Sequence, residues 1–209
     1  EVMARRHDSV ITEHSSVPIL PTLLAERGRA DEAIETAAAW AHSRLDAGAV
    51  QGAAAAHVLW ADLLLRAQRP VEALDVVGRA DSLARSINEP GTAIEAARLR
   101  GLALEELGES GPAITVLEEA ARMANADGDV EAVLETHVAL GRLLASQGRT
   151  SEALEAWEAA ARQAEATTMH LDLDFDRVRY RERRLAPYEA ALLALAERRS
   201  QSDPAELLA

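Results

Sequence analysis

The chain has 209 residues, a formal net charge of −13 and no cysteine. The charge disfavours bulk electrostatic binding of nucleic acid, and the missing thiol excludes disulfide scaffolds, zinc–thiolate sites and cysteine nucleophiles. Although 48% of the residues are hydrophobic, only 3% are aromatic, and about one residue in five is alanine. Since alanine and leucine favour helix while sheets are rich in β-branched and aromatic residues, the composition predicts an all-α protein.

The apolar runs of the sequence are too short to predict a membrane segment or a signal peptide. No apolar run approaches the roughly 20 residues that span a bilayer, and none of signal-peptide type follows Glu1. We therefore expect a cytoplasmic protein without a membrane partner. Because Met3 is not the first residue and 203–209 read as the first turn of a helix, we expect the chain to be part of a longer protein.

Four copies of one unit run from about residue 10 to residue 167. An alanine recurs every 40 positions and is followed each time by Ile or Leu, and other positions keep the same spacing. The recurring alanines are Ala33, Ala73, Ala113 and Ala153. Five positions before them stand Gly28, Gln68, Gly108 and Gly148, and twelve positions before them stand Pro21, Ala61, Gly101 and Gly141. Such a pattern predicts units that stack on one another.

The first unit is the poorest copy at its start. Pro18 and Pro21 fall in its first helix. Because proline lacks an amide hydrogen and clashes with the preceding turn, we expect that helix to be short or irregular.

The fourth unit is the clearest copy and reads as two helices. Apolar residues over 130–147 follow a helical period, and Gly148 supplies a left-handed stop. Thr150 or Ser151 is the predicted N-cap of a second helix that runs to about Thr167.

The same unit carries the spacing of a known repeat family. Its characteristic residues are Leu140, Gly141, Leu144, Gly148, Ala153, Trp157 and Ala160. This pattern resembles the tetratricopeptide repeat (TPR), which implies an α-α superhelix of antiparallel helix pairs, with small residues at the helix crossings. The resemblance also implies that the aromatic Trp157 plugs the next unit. A period of 40 exceeds the family's usual length of about 34 residues, which implies longer helices, as in the sensor regions of large bacterial regulators.

The resemblance further implies a concave groove that is lined by the first helix of each unit. The groove positions of the family fall here on aliphatic, acidic and arginine residues, a mixture that suits an extended peptide or a helix of a partner protein. They are Val58, Asp62, Arg66, Glu95, Arg98, Leu102, Glu105, Glu135, Val138 and Arg142. Arg98 and Arg142 either hold a ligand carboxylate or are neutralised by Glu95 and Glu135. The Lys/Asn set with which some relatives clamp a chaperone tail is missing.

After the repeat array in 1–167, residues 168–209 are predicted to form a C-terminal helical extension. It contains a cluster of basic residues, Arg177, Arg179, Arg181, Arg183 and Arg184. This cluster is either a docking patch for an acidic partner, a phosphate or RNA, or a helix surface that is balanced by nearby acidic residues.

The sequence contains no pattern typical of catalysis, of a cofactor or of a metal site. No two of the six histidines lie three or four positions apart, which excludes helical metal-ligand spacing. His57 and His137 occupy the same position of two units and are predicted to be partly buried structural residues. Asp172, Asp174 and Asp176 suggest a calcium loop, but the glycine and the final glutamate of such a loop are missing.

The sequence thus predicts a non-catalytic scaffold that binds a protein or peptide, or senses a ligand, in its groove. The alternative is a regulatory repeat region of a larger enzyme. Tyr180, Arg184, Tyr188, Glu189 and Leu192 resemble the last helices before the caspase-like peptidase domain of the CHAT family, whose catalytic part would lie outside this chain. An uncapped apolar end would also permit a homodimer through the terminal helices.

Overall fold

The structure is a computed structural model that describes residues 18–169, with the side chains of residues 18–163. This part of the chain consists of helices joined by short turns and contains no strand. Its eight helices are α1 (Ile19–Glu26), α2 (Ala30–Asp46), α3 (Val50–Arg66), α4 (Pro70–Ser86), α5 (Pro90–Glu106), α6 (Ser110–Asp127), α7 (Val130–Ser146) and α8 (Thr150–Met169). The predicted all-α class is confirmed, and each unit of the sequence repeat corresponds to two consecutive helices.

A left-handed residue follows each of the helices α1 to α7, and these residues recur every 20 positions. They are Gly28, Gly48, Gln68, Asn88, Gly108, Gly128 and Gly148. After α1, the Gly28 N–H donates to the Ala25 carbonyl and the Arg29 N–H donates to the Leu24 carbonyl, both at 2.9 Å. This pair of bonds is the Schellman arrangement, and it also closes α2, α3, α4, α5 and α7. Each period of the sequence repeat therefore consists of two structural steps of equal length.

The predicted element boundaries agree with the structure except at one cap. α1 begins directly after Pro18 and has 8 residues, as the prolines of the first unit predict. The predicted cap of α8 is wrong, because Thr150 and Ser151 lie inside that helix. The Arg149 carbonyl accepts the first helical bond, from the Ala153 N–H at 3.0 Å, so Arg149 occupies the N-cap position.

An arginine–glutamate pair stands at the start of α2, α4 and α8. The pairs are Arg29–Glu32, Arg69–Glu72 and Arg149–Glu152, with Nε–Oε1 distances of 2.6, 2.6 and 2.7 Å. The hydrogen bond from each guanidinium lowers the pKa of its glutamate. All three pairs are exposed, so solvent screening keeps their contribution to stability small.

The helices form two compact units that divide between Glu109 and Ser110. In the first compact unit each of the helices α1 to α4 packs against the next one, and α3 also contacts α5. Leu64, Val77 and Leu99 belong to the core of this unit and are almost completely buried. In the second unit α6 packs against α7, and α7 packs against α8. The expected boundary after residue 167 stays a prediction, since the structure describes nothing beyond residue 169.

A glycine of the first helix meets a tryptophan of the second helix in the last pair. Gly141 of α7 meets Trp157 of α8 so closely that a Cβ on Gly141 would lie 2.3 Å from Trp157 Nε1. Trp157 therefore packs within its own pair. The corresponding buried residues of two other pairs are Ala61 with Val77 and Pro21 with Ala37. Across these pairs the residue on the first helix becomes smaller as the residue on the second helix becomes larger.

We expect Gly141→Ala to lower the free energy of unfolding by about 1–3 kcal/mol, because the added methyl group overpacks the contact with Trp157. Gly78→Ala is the matched control, since Gly78 lies inside α4 and no neighbouring group is within 4 Å of its Cβ position. Alanine there should raise stability by about 0.5–1 kcal/mol through helix propensity. Urea unfolding measures both changes. Equal effects of the two substitutions would contradict the packing argument.

Gln68 and Asn88 provide a second test, because within the described residues they are the non-glycine residues with positive φ, at 58° and 53°. We expect Gln68→Gly to stabilise the chain by about 1 kcal/mol, since glycine has no Cβ to clash in this conformation. The gain for Asn88→Gly should be smaller because asparagine tolerates the left-handed region. Thermal unfolding followed by circular dichroism compares these variants with Gln68→Ala, and an equal gain for alanine would refute the backbone explanation.

Candidate binding cleft

A cleft lies between α3 and α5, which are the first helices of the second and third pairs. It has a volume of about 460 Å³ and is open to solvent. Its lining residues are Ala55, Val58, Leu59, Asp62, Glu89, Gly91, Thr92 and Glu95. Because α3 and α5 contact each other directly and α4 packs against both, the cleft is built inside the first compact unit.

Helical spacing places the α3 part of the lining on one face. Ala55, Val58, Leu59 and Asp62 stand at relative positions 0, 3, 4 and 7, which lie above one another on a helix. Val58 and Leu59 are partly buried and pack on the core of the first unit. α3 therefore supplies an apolar floor with a carboxylate at one end.

The start of α5 supplies the polar part of the lining. Glu89 caps this helix, since its carboxylate accepts a hydrogen bond from the Thr92 N–H at 2.7 Å. Gly91 has no side chain that could project into the cleft. A Cβ at this position would lie 3.3 Å from Glu89 Oε1. Glu95 follows one helical turn later. Three carboxylates thus line a cleft whose other lining residues are apolar, small or a threonine.

Two arginines beside the cleft are paired with its carboxylates. Arg66 Nε lies 2.7 Å from Asp62 Oδ2, and Arg98 Nε donates to Glu95 Oε2 at 2.7 Å. The Arg66 side chain is 68% exposed, whereas the Arg98 side chain is only 16% exposed. The Asp62–Arg66 pair is therefore the more strongly screened by solvent, and its contribution to stability is small.

The Asp62 carboxyl has an unusual electrostatic environment. Burial raises its pKa, and the negative charge of Glu95 raises it further. The positive charges of Arg66 and Arg98 lower the pKa but do not cancel the effect of burial. The ionised carboxylate is therefore incompletely solvated, and an additional positive charge in the cleft would stabilise it.

The structure brings three of the predicted groove residues into this cleft, namely Val58, Asp62 and Glu95. Arg66 and Arg98 flank it through their ion pairs. The partner-binding role of these residues stays a prediction, since the structure gives their geometry and not their partner.

The other predicted groove residues lie away from the cleft. Leu102 packs on the core of the first unit, and Glu105 is partly buried near the end of α5. Glu135, Val138 and Arg142 share one face of α7 in the second unit, where Val138 packs against buried residues of α7 and α8. These residues therefore do not belong to the site between α3 and α5.

Other predictions concern parts of the chain beyond the cleft. Outside the described residues lie the arginines of the predicted docking patch, Arg177, Arg179, Arg181, Arg183 and Arg184. Within residues 18–169, no three histidine, aspartate or glutamate side chains are grouped so as to hold a metal ion. No helix in that range combines the length and the apolarity needed to cross a membrane.

Sequence reasoning missed five lining residues, which are Ala55, Leu59, Glu89, Gly91 and Thr92. The repeat does point to Ala55, because this residue occupies the same position of its repeat unit as Glu95 and Glu135, which were predicted groove residues. An alanine has no functional group, so the pattern does not single it out. Glu89 and Gly91 lie at the start of α5, where the repeat has no fixed residue type.

The two histidines that share a repeat position, which were predicted to be partly buried, are buried to different extents. His57 is 1% exposed, and its Nδ1 lies 2.7 Å from the Ala53 carbonyl oxygen. The His57 ring is 5.9 Å from the Trp60 ring, which His42 of α2 meets edge-on at 5.6 Å. His137 is half-buried on α7. Burial lowers the pKa of both His57 and His137.

The helix arrangement is similar to that of solved repeat proteins, although no protein-family model matches the chain and no curated protein is significantly similar to it. A kinesin-light-chain-like protein from Podospora anserina, with nearly identical TPR-like repeats, aligns with a TM-score of 0.58 at 13% identity, covering 88% of this chain and 93% of that chain. The TPR domain of Arabidopsis FLU aligns with a TM-score of 0.49 at 20% identity, covering 54% of this chain and 95% of that chain.

The chain has the fold of TPR-like repeats. Its TPR-like units are long because their helices are long, and α2, α3, α4, α5 and α7 have 17 residues each. In TPR-like terms, the cleft lies between the first helices of two successive repeats.

The pKa shift of His57 predicts how stability depends on pH. Because the folded state holds His57 neutral, the unfolded chain binds a proton below its ordinary pKa of about 6.5 that the folded chain does not bind. Stability should therefore fall as the pH drops from 7 to 5. We expect a smaller fall for His57→Gln in urea unfolding, and a ring titration midpoint for His57 below 6.5 by NMR. A midpoint above 6.5 would contradict the assignment.

Proposed function

We propose that this TPR-like chain is a non-catalytic scaffold that binds a segment of a partner protein in the cleft between α3 and α5. The observation that carries the proposal is the cleft itself, with an apolar floor of Ala55, Val58 and Leu59 and polar groups at its rim. Binding sites for peptides combine these features, because apolar contacts supply affinity while a few polar groups fix orientation.

The packing beneath the cleft supports the proposal. α3, α4 and α5 are held by core residues with almost no solvent exposure, among them Leu64, Val77 and Leu99. The walls of the cleft are therefore preorganised. A ligand that binds to preorganised walls loses less affinity to the ordering of the protein than one that binds to a flexible surface.

The lining favours binding over chemistry. Asp62 and Glu95 are paired with Arg66 and Arg98, and Glu89 caps α5. Among the described residues that line the cleft there is no histidine, lysine, serine or tyrosine. Nucleophilic catalysis commonly uses such groups, and the carboxylates that could act as general acids or bases are engaged in ion pairs or in the cap of α5.

Other proposals have less support. The regulatory-region alternative depends on residues 175–208, which lie outside the described residues. A homodimer through the terminal helices also remains a prediction. Its support is that Ile19 and Leu20 of α1 are 72% and 56% exposed. The set Glu135, Val138 and Arg142 on α7 is a separate proposed contact of the second unit.

The proposal is tested with a substitution that fills the cleft. Ala55→Phe places a ring on the cleft floor, while the control Ala39→Phe places the same ring on the exposed side of α2. Peptides are selected from a displayed random library against the full chain, and their affinities are measured by fluorescence anisotropy. We expect Ala55→Phe to weaken binding at least tenfold and Ala39→Phe to leave it unchanged.

Circular dichroism confirms that both phenylalanine variants remain folded. Peptides that bind the Ala55→Phe variant as tightly as the parent chain would show that the cleft is not the binding site. A selection that yields no binder to the parent chain would also count against the proposed function.

A further inference from the structure

The ionisable residues that line the cleft between α3 and α5 all have the same sign of charge. Asp62 lies on α3, while Glu89 and Glu95 lie on α5, and the described lining contains no basic residue. We infer that the cleft selects a cationic partner, namely an extended segment in which an aliphatic side chain is flanked by lysine or arginine. This inference rests on the proposed function and names the chemistry of the partner.

The geometry of α3 sets the spacing of this segment. The Cβ atoms of Leu59 and Asp62, three positions apart on a helix, are separated by about 5–6 Å. Alternate side chains of an extended peptide share one face and are about 7 Å apart. An aliphatic side chain on the floor of Ala55, Val58 and Leu59 therefore places its neighbour at position i+2 beside the Asp62 carboxylate.

The Asp62 carboxylate favours a cation for a second reason. Burial raises the pKa of this carboxyl, and Glu95 on the opposite wall raises it further, whereas Arg66 and Arg98 lower it. A lysine or arginine that enters the cleft would restore the solvation that the carboxylate has lost. A ligand carboxylate in the same position would increase the repulsion from Asp62 and Glu95.

The two neighbouring arginines do not remove this preference. The Arg66 side chain is 68% exposed and is joined to Asp62 by an ion pair within one helix, so exchange for a ligand cation costs little. The Arg98 side chain is mostly buried and stays with Glu95. Asp62 and the rim residue Glu89 are therefore the groups most open to a ligand cation.

A small set of peptides tests the inference on the full chain, residues 1–209. The probe is acetyl-Gly-Lys-Ser-Leu-Ser-Lys-Gly-amide, which carries Lys, Leu and Lys on one face when extended. One twin replaces both lysines by glutamate, and another replaces the leucine by serine. NMR shifts of the Gly91 and Thr92 amides, both at the cleft, report where the peptide binds and how tightly.

We expect the Lys–Leu–Lys peptide to bind at Gly91 and Thr92, and both twins to bind at least tenfold more weakly. The double variant Asp62→Asn/Glu95→Gln should weaken the Lys–Leu–Lys peptide at least tenfold. Glu35→Gln/Asp75→Asn removes the same charge from the exposed faces of α2 and α4, and it should change the affinity less than twofold. This control separates the cleft from the net charge of −13.

Three results would overturn the inference. They are equal weakening by the two double variants, preference for the glutamate twin, and no amide shift with millimolar Lys–Leu–Lys peptide. If library-selected peptides still lose binding to the Ala55→Phe variant in any of these cases, the cleft remains a binding site and only its cationic selectivity is wrong. If Ala55→Phe has no effect on them, the proposed function fails as well.

Discussion

A left-handed residue every 20 positions is the constraint on which the rest of the described structure depends. At six of the seven turns it is accompanied by the Schellman bonds, which leave the chain ready to start the next helix after the same number of residues. Most helices therefore share one length, 17 residues, or about 25 Å. Equivalent sequence positions consequently fall on equivalent helix faces, and α3 and α5 present matching faces to each other in the first unit.

This constraint explains the composition. Helices that pack at small residues need alanine and glycine at their contacts, and Ala33, Ala53, Ala73, Ala113 and Ala153 are completely buried. Large residues are accepted only where the facing helix leaves room, as Gly141 does for Trp157. The chain therefore obtains its stability from many close contacts between small residues and from leucines, with few aromatic residues in the core.

The sequence was sufficient to predict the fold because its columns repeat visibly, and Pro18 with Pro21 predicted that α1 is short or irregular, which its 8 residues bear out. The 20-residue spacing between successive helix ends was harder to detect in the sequence. Its left-handed positions are not all glycine but include Gln68 and Asn88. For the site, the groove positions implied by the TPR resemblance include three residues that line the cleft, namely Val58, Asp62 and Glu95. Which helices approach closely enough to enclose a space depends on tertiary packing. Ala55 and Gly91 shape the cleft by their lack of bulk, and a search for functional groups overlooks such residues.

The variation in residue size between the pairs also has a consequence for divergence. Pro21 with Ala37, Ala61 with Val77, and Gly141 with Trp157 fill equivalent positions with different sizes. Equivalent positions of different pairs therefore accept different residue types. Repeat units of this kind can share a fold without sharing a sequence, and the kinesin-light-chain-like repeats align with this chain at 13% identity.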